Sequence, residues 1–268
     1  MIDNGKRNVL GVLVDAIDYD SALDRVISAA RERRSFALTA LAVHGVMTGV
    51  HDRAHAARLN GFDVVTPDGQ PVRWALNVLH DEGLTDRVAG PPLTMMVLER
   101  CAADGLPVYL YGSTEDTLAR LTAALTTSLP ALQIAGAEPS KFRPNHPGED
   151  TEIARRITDS GARVVLVGLG CPRQEVFTFA MRQLLHMPVV AVGAAFDYHS
   201  GRLRRAPVWM QRHALEWLWR LGFEPRRLWR RYLFLSPAYL ARLSAQKLGL
   251  WRADPPAPSD TRPTSFAV

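Results

Sequence analysis

The strongest constraint on the fold is a repeated alternation of short apolar runs, rich in β-branched residues, with longer stretches of helical periodicity. Runs such as RVVLVGLG are apolar throughout, which is typical of parallel strands covered on both faces. The alternation predicts an α/β fold with an open, mostly parallel sheet flanked by helices. Strands are predicted at 8–14, 35–40, 63–67, 107–112, 132–137, 162–170 and 188–196, and helices at 20–33, 43–58, 92–104, 114–128, 149–160 and 173–184.

The pattern changes after Phe196, and this change divides the chain into three parts. Residues 1–200 are predicted to form the α/β core. Residues 201–250 contain only helical patterns and many arginines and tryptophans, so they predict a helical basic appendage. Residues 251–268 are rich in proline and polar residues and are predicted to be a disordered tail.

Charge and cysteine content limit the classes of partner and site. The formal net charge is +5, and arginine contributes more of it than lysine, which favours an anionic partner such as phosphate, nucleic acid or lipid headgroups. Cys101 and Cys171 are the two cysteines, and neither their spacing nor that of the eight histidines matches a metal-binding motif. We therefore expect no disulfide framework, no metal and a reducing compartment such as the cytoplasm.

Membrane segments and signals are not evident in the pattern. The N-terminal apolar run is short and is followed at once by acidic residues, unlike a signal peptide. No stretch approaches the ~20 apolar residues that a membrane-spanning helix requires. If the protein meets a membrane, we expect it to lie on the surface.

Two predicted strands end in glycine, at the edge where open α/β sheets bind ligands. In YLYGSTEDTL, Gly112 and Ser113 precede a capped helix whose N–H groups can bind phosphate, although a routine turn explains the same residues. In VGLGCPRQEVF, Arg173 is suited to bind phosphate, and Gln174 is suited to hydrogen-bond a sugar or a base. Glu175, the next residue, can equally well be explained as an acid that complements the helix dipole. The second segment predicts six substrate-binding residues: Gly168, Gly170, Pro172 at the first helical position, Arg173, Gln174 and Glu175.

These glycines do not form a complete dinucleotide fingerprint or a P-loop. A nucleotide-sugar oxidoreductase therefore remains only an alternative. Asp68, in VTPDGQP, is placed to act as a general base on a hydroxyl, but an Asp-Gly turn explains it equally well from the residues alone.

The basic appendage is the most unusual segment of the chain. Residues 201–231 contain nine arginines and interleaved tryptophans, with Glu216 and Glu224 as the only acidic residues. Three interpretations stay open on physical grounds: a helix lying in a bilayer interface, aromatic packing on the core with solvated arginines, or nucleic-acid binding.

Taken together, the motifs resemble the WecG/TagA/CpsF glycosyltransferase family (glycosyltransferase family 26) over roughly residues 8–235. The resemblance rests on LTALAVHGVMTGVHD, VTPDGQPVRWA, RVAGPPL, YLYGSTEDTL, LVGLGCPRQEVF, VGAAFDYHSGRLRRAPVWMQRHALEWLWRL and EPRRLWRRYL. It implies a Rossmann-like sheet and an inverting enzyme that needs no metal or cofactor. Such an enzyme moves a sugar from a UDP-sugar to a polyprenyl-diphosphate-linked N-acetylglucosamine at the cytoplasmic membrane face, in cell-surface polysaccharide synthesis.

The resemblance also implies roles for particular residues. Asp68 matches the catalytic base, Thr39 an active-site threonine, and Gln174 a glutamine of the donor site. The appendage arginines that match those holding diphosphate are Arg220, Arg227, Arg230 and Arg231.

Two departures from the family pattern affect the expected specificity. Leu41 replaces an active-site asparagine, and Pro91-Pro92 follows Gly90 where the family has an aspartate two residues after the glycine. We therefore expect an active enzyme with altered sugar specificity, transferring an N-acetylmannosamine-like sugar, mannosaminuronate or hexose. A non-catalytic membrane-binding module with a decayed pocket is the other alternative.

The resemblance also predicts the partners: a UDP-sugar, a lipid-linked acceptor and the inner membrane surface, but not nucleic acid. A homo-oligomer is left open.

Overall fold

A computed structural model describes residues 1–143, 145–204, 206–207, 209–210 and 215–258. The side chains of Arg227, Arg230 and Arg231 lie outside this description, although their backbones are included.

The strands form an antiparallel hairpin and a separate parallel sheet. The six-stranded sheet has the order β4-β3-β8-β7-β5-β6, and every pair in it is parallel. The predicted α/β class with a Rossmann-like sheet is therefore confirmed. The strands are β1 (Asp3–Val9), β2 (Val12–Ile17), β3 (Phe36–Leu41), β4 (Val64–Pro67), β5 (Val108–Gly112), β6 (Ile134–Glu138), β7 (Val164–Gly168) and β8 (Pro188–Ala191).

Helices cover the sheet, and apolar clusters lie between the sheet and the helices on its faces. The helices are α1 (Tyr19–Glu32), α2 (Val43–His51), α3 (Arg53–Asn60), α4 (Gln70–His80), α5 (Gly90–Asp104), α6 (Glu115–Ser128), α7 (Glu149–Asp159), α8 (Arg173–Arg182), α9 (Ala195–His199), α10 (Glu216–Phe223), α11 (Pro225–Arg230) and α12 (Ser236–Lys247). A π-helical turn, Arg231–Leu235, joins α11 to α12.

The prediction of one strand at 8–14 was wrong, because the chain reverses direction within it. Leu10 and Gly11 have φ angles of 56° and 89°, and Val9 pairs with Val12 across the turn. The glycine tolerates this left-handed backbone. Apolar residues on both sides of the turn hid it from a pattern-based prediction.

The helix predicted at 43–58 is two helices, separated at Asp52. The Asp52 side chain accepts hydrogen bonds from the backbone N–H groups of Ala54 (2.9 Å) and His55 (3.1 Å). An N-cap of this kind starts a new helix. As a result, α3 is a separate helix, and its His55 side chain is buried.

The strand predicted at 188–196 ends early, at Ala191. Gly193 has a φ of 61°, and the chain then enters α9. The small apolar residues of this segment resemble a strand end, but they form the turn that carries the chain over the carboxyl edge of β8. This turn becomes part of the site described below.

The C-terminal residues pack closely on the body of the protein. Tyr239 of α12 is fully buried, and its hydroxyl donates to the carbonyl of Pro71 (3.2 Å). Further along, the Asn8 amide donates to the carbonyl of Ala253 (2.7 Å). Part of the segment predicted as appendage and tail therefore contacts the core, whereas residues 259–268 of the predicted tail lie outside the described part.

Within the part of the chain that is described, no helix is both long and apolar enough to cross a bilayer.

Candidate active site

A pocket of about 130 Å³ lies over the carboxyl ends of β4 and β8. Asp68 follows β4, and Val192 follows β8, so two strand ends form its floor. The start of α5 forms one wall, and α10 lies across the opening with Trp219 and Arg220. The pocket therefore brings the C-terminal helices to the sheet edge at which open α/β sheets bind ligands.

Asp68 is fixed at the pocket by its backbone and by the turn that follows. Its N–H donates to the carbonyl of Leu41 (3.1 Å) at the end of the neighbouring strand. Gly69, with a φ of 101°, then allows the sharp turn into α4. The Asp68 carboxylate accepts a hydrogen bond from the N–H of Gly90.

The electrostatics around Asp68 favour a carboxylate that binds a proton more tightly than usual. Burial raises the pKa of Asp68 to about 6, while Arg87 and Arg220 oppose the shift and Glu216 adds to it. The carboxylate is thus mainly ionised at neutral pH, yet more basic than an exposed aspartate. These are the properties of a general base.

An ion pair joins the two sides of the pocket. Arg87 lies before α5, and its guanidinium contacts the carboxylate of Glu216 at the start of α10. Burial tends to lower the pKa of Arg87, but Glu216 and then Asp68 outweigh that effect and raise it. Both partners are partly buried, so the pair holds α10 over the pocket.

Arg220 extends from α10 into the same pocket as Asp68. Its Nε is buried and has no hydrogen-bond partner among the described residues. Burial works against its charge, but Tyr198, Tyr232 and Asp68 together raise its pKa. Arg220 is therefore a charged donor with an unused N–H next to the aspartate, which suits an anionic ligand.

Thr39, Gln174 and Glu175 form a polar layer beneath the strand ends. Thr39 and Glu175 are fully buried, and the Thr39 hydroxyl donates to Glu175 Oε1 (3.1 Å). The Gln174 amide donates to the same oxygen (2.9 Å) and accepts from the N–H of Gly193 (3.0 Å). The three side chains thus lie together, Gln174 supports the turn after β8, and none of them lines the pocket that holds Asp68.

The two predicted glycine-ended strands lie side by side further along the edge. Gly112 pairs with Gly168 in the sheet, and the Ser113 N–H donates to the Gly168 carbonyl (2.9 Å). Gly112 has a φ of 112°, and a Cβ on it would lie 2.8 Å from the Gly168 carbonyl. A Cβ on Gly168 would lie 2.6 Å from the Phe196 ring. Close packing between the two strands, and against Phe196, therefore requires glycine at both positions.

Arg173 and Pro172 begin the helix after β7. Pro172 occupies the N-cap of α8, one position before the predicted one, and Gly170 has a φ of 75° in the turn before it. The Arg173 guanidinium donates to the Ser140 hydroxyl (3.1 Å) and lies 5.8 Å from the centre of the Phe142 ring. Arg173 thus faces the loop after β6, apart from the Asp68 pocket.

Of the four predicted appendage arginines, only Arg220 can be placed by its side chain. Arg227 and Arg230 belong to α11, and Arg231 starts the π-helical turn, but their side chains lie outside the described part of the chain.

The two departures from the family pattern differ in position. Leu41 is buried in an apolar cluster beneath the edge of the sheet. Its side chain packs against Gly45, because a Cβ on that glycine would lie 2.3 Å from Leu41 Cδ1. Pro91 and Pro92 line the pocket, and the His199 ring lies 2.9 Å from the Pro91 carbonyl. Only the prolines therefore change the surface available to a ligand in this pocket.

Sequence reasoning missed Arg87 and Glu216 as site residues. One signal for them was present: Glu216 is one of two acidic residues among the nine arginines of 201–231.

Comparison with known proteins agrees with this arrangement. The model of the "Glycosyl transferase WecG/TagA/CpsF family" matches residues 7–253. The chain is 28% identical over 242 residues to the N-acetylglucosaminyldiphosphoundecaprenol N-acetyl-beta-D-mannosaminyltransferase of Bacillus subtilis (strain 168), covering 88% of each chain. It is 32% identical over 187 residues to the protein of the same name from Bacillus spizizenii (strain ATCC 23059 / NRRL B-14472 / W23), covering 69% of this chain and 70% of that one.

The match spans the sheet, the pocket and the C-terminal helices, so it includes every part of the site described above. The resemblance read from the motifs is confirmed, and the oxidoreductase alternative is not retained. The chain belongs to the WecG/TagA/CpsF family of glycosyl transferases.

Proposed function

We propose that this enzyme transfers N-acetylmannosamine, with inversion, from a UDP-sugar to N-acetylglucosamine linked to a polyprenyl diphosphate. The names of the two relatives support the transferred sugar and the acceptor. The observation that carries the proposal is the meeting of Asp68 and Arg220 in one pocket, with the carboxylate on one side and the guanidinium on the other.

Asp68 serves as the general base in this mechanism. An acceptor hydroxyl attacks the anomeric carbon of the donor, and the bond from that carbon to the UDP oxygen breaks on the opposite face. The hydroxyl proton passes to the Asp68 carboxylate as the new bond forms. A pKa of about 6 leaves this carboxylate ionised at neutral pH while making it a stronger base than an exposed aspartate.

Arg220 stabilises the negative charge of diphosphate in this mechanism. Its unpartnered Nε gives it an N–H to donate, whereas Arg87 is already paired with Glu216. A guanidinium in a partly buried pocket interacts strongly with phosphate oxygens. Arg227, Arg230 and Arg231 belong to the same proposal by their place in the motif.

In this proposal, the donor nucleotide binds at the edge of the sheet over the carboxyl ends of β5 and β7. Thr114 caps α6 there, and its Oγ1 accepts from the N–H of Thr117 (3.2 Å), so the helix starts directly at the strand end. The start of α6, Ser113 and Arg173 offer N–H groups and a positive charge toward that edge. Gln174 and Thr39 act through the turn that they support.

The C-terminal appendage is proposed to lie on the cytoplasmic face of the membrane, where a polyprenyl-linked acceptor is found. From α10 to the π-helical turn, several large apolar side chains are exposed: Trp217, Leu218, Phe223, Trp229, Leu233 and Phe234. Aromatic residues interspersed with arginine are suited to the headgroup region. Residues 201–235 would then form the acceptor- and membrane-binding unit, while α12 packs on the core.

The test is product formation from purified enzyme, a panel of UDP-sugars and a short-chain polyprenyl-diphosphate N-acetylglucosamine. We expect UDP-N-acetylmannosamine to be the best donor and the new linkage to be of inverted configuration. Asp68→Asn should remove turnover, whereas Asp159→Asn, an exposed position at the end of α7, should not change it. Binding to vesicles without product from any donor would instead favour a non-catalytic module.

A further inference from the structure

A cluster of three metal-ligating side chains lies beneath the active-site edge. His55 comes from α3, Cys171 from the turn between β7 and α8, and Glu175 from the first turn of α8. One ligand atom from each of the three lies within 4.8 Å of the other two. His55 and Glu175 are almost completely buried. The cluster is therefore a largely buried site that joins α3 to the start of α8.

Polar atoms in and beside the cluster lack the partners that buried groups normally have. His55 Nε2 and Glu175 Oε2 are buried without a hydrogen-bond partner in the described structure, and so is the hydroxyl of Thr178, one helical turn after Glu175. A buried polar atom without a partner costs about 1–3 kcal/mol. Unpartnered atoms on two of the three converging side chains indicate that a further group belongs between them.

We propose that His55, Cys171 and Glu175 bind a zinc ion that organises the floor of the active site. An imidazole nitrogen, a thiolate and a carboxylate oxygen are the ligand types that zinc takes in proteins. The softness of the thiolate disfavours magnesium and calcium. Zinc bonds of about 2.0–2.3 Å place tetrahedral ligand atoms roughly 3.3–3.8 Å apart, so the cluster needs to contract by less than a bond length.

Two of the three proposed ligands already interact with each other. The Cys171 side chain already interacts with the Glu175 carboxylate, and metal binding would replace the thiol proton.

The metal would act through the polar layer of the active site. Glu175 Oε2 has no hydrogen-bond partner in the described structure and is the oxygen left for a metal, while Oε1 accepts from both Thr39 and Gln174. Gln174 in turn holds the N–H of Gly193 in the turn after β8. A zinc ion would therefore fix Glu175 and, through it, the side chains of two predicted site residues. This is a positioning role that does not depend on which sugar is transferred.

Metal content of the full-length protein, purified without a histidine tag, tests the proposal directly. We expect about one zinc per chain by elemental analysis. Cys171→Ala and His55→Leu should each lose most of that zinc. Cys101→Ala is the control, because Cys101 is the other cysteine of the chain and lies on α5, in an apolar cluster apart from the proposed site. It should retain the metal.

Two further readouts remain informative if a variant folds poorly. A strong chelator should lower the Tm of the wild-type protein, and added zinc should restore it, because a ligand that binds only the folded state stabilises it. Cobalt substitution should give a thiolate-to-cobalt charge-transfer band that Cys101→Ala keeps and Cys171→Ala lacks. Wild-type protein that contains no zinc and shows no zinc-dependent change in Tm would overturn the proposal. Full zinc content in Cys171→Ala would do the same.

Discussion

Asp68 occupies a position where its negative charge is unfavourable for stability. Burial raises its pKa to about 6 from an ordinary value of 3.8. A group whose pKa is raised in the folded state binds protons more tightly there than in the unfolded chain. Its contribution to stability is therefore present below 3.8 and is lost as the pH rises through 6. This cost is consistent with a residue kept for catalysis.

Asp68→Asn should therefore increase the free energy of unfolding at pH 7. A shift of one pKa unit corresponds to about 1.4 kcal/mol, so the gain should be on the order of 1–3 kcal/mol. The gain should shrink as the pH falls below 6, because the wild-type carboxyl is then protonated in the folded state. Urea denaturation at several pH values measures it. A loss of stability at pH 7 would contradict this prediction and would show that neighbouring charges and hydrogen bonds outweigh the cost of burying the carboxylate.

Gly168→Ala tests the packing explanation for a glycine at the predicted nucleotide edge. The new Cβ would lie 2.6 Å from the buried Phe196 ring, so we expect a loss of about 1–3 kcal/mol in the free energy of unfolding. Gly222→Ala, on α10, is the control, because a Cβ there meets nothing within 4 Å. Chemical denaturation of both variants decides the matter: equal stability of the two would remove the packing explanation.

At the scale of elements, α10 is connected to the core by the Arg87–Glu216 ion pair. The same two charges affect the ionisation of Asp68, since Glu216 raises the pKa of Asp68 and Arg87 lowers it. A partly buried ion pair of this kind orients its element and tunes a nearby carboxylate at the same time. Through this pair, α10 contributes to the electrostatics of the site.

Glu216→Gln should move the pKa of Asp68 downward, because it removes a negative charge from beside the carboxylate and frees Arg87. In kinetics, the acidic limb of the kcat/KM profile should shift to lower pH. Asp159→Asn removes an exposed carboxylate at the end of α7 and should leave the limb in place. An unchanged or upward shift in Glu216→Gln would contradict the electrostatic coupling.

Several elements were predictable because their sequence signals are local. The strands predicted at 63–67 and 107–112 agree closely with β4 and β5, since each is a short apolar run that ends in a turn. The helix boundary at Asp52 was missed because residues compatible with a helix continue on both sides of it. The reversal at Leu10 was missed because apolar residues continue on both sides of it. The position of Asp68 was predictable from its turn, but the pairing of Arg87 with Glu216 depends on tertiary packing that no local pattern contains.

At the scale of the whole molecule, the sheet order joins distant segments into one edge. β3 lies between β4 and β8, so the turn at Asp68 and the turn at Gly193 lie over neighbouring strands. Sequence patterns predicted the strands but not this order, which depends on pairing between segments far apart in the chain. The cluster of His55, Cys171 and Glu175 was not predictable for the same reason, because His55 lies far along the chain from the other two residues.

The proposed membrane association also belongs to this larger arrangement. A double variant of the exposed aromatic surface, Trp229→Ser with Phe234→Ser, should weaken binding to anionic vesicles several-fold, because it removes apolar area from the interface. Val78→Ser, an exposed apolar position on α4, is the control and should bind normally. Truncation after residue 200 is a poorer test, since it also removes the buried Tyr239. Vesicle co-sedimentation measures the effect, and unchanged binding of the double variant would contradict the proposed membrane face.

The account depends most on Asp68 as the base, and the pH dependence of kcat/KM tests this most directly. For wild-type enzyme with UDP-N-acetylmannosamine and the lipid-linked acceptor, activity should rise with pH and level off above an apparent pKa near 6. In Asp68→Asn, the residual activity should be far lower and should lack that limb. If the variant keeps the same limb and comparable turnover, another group accepts the proton and the central claim is wrong.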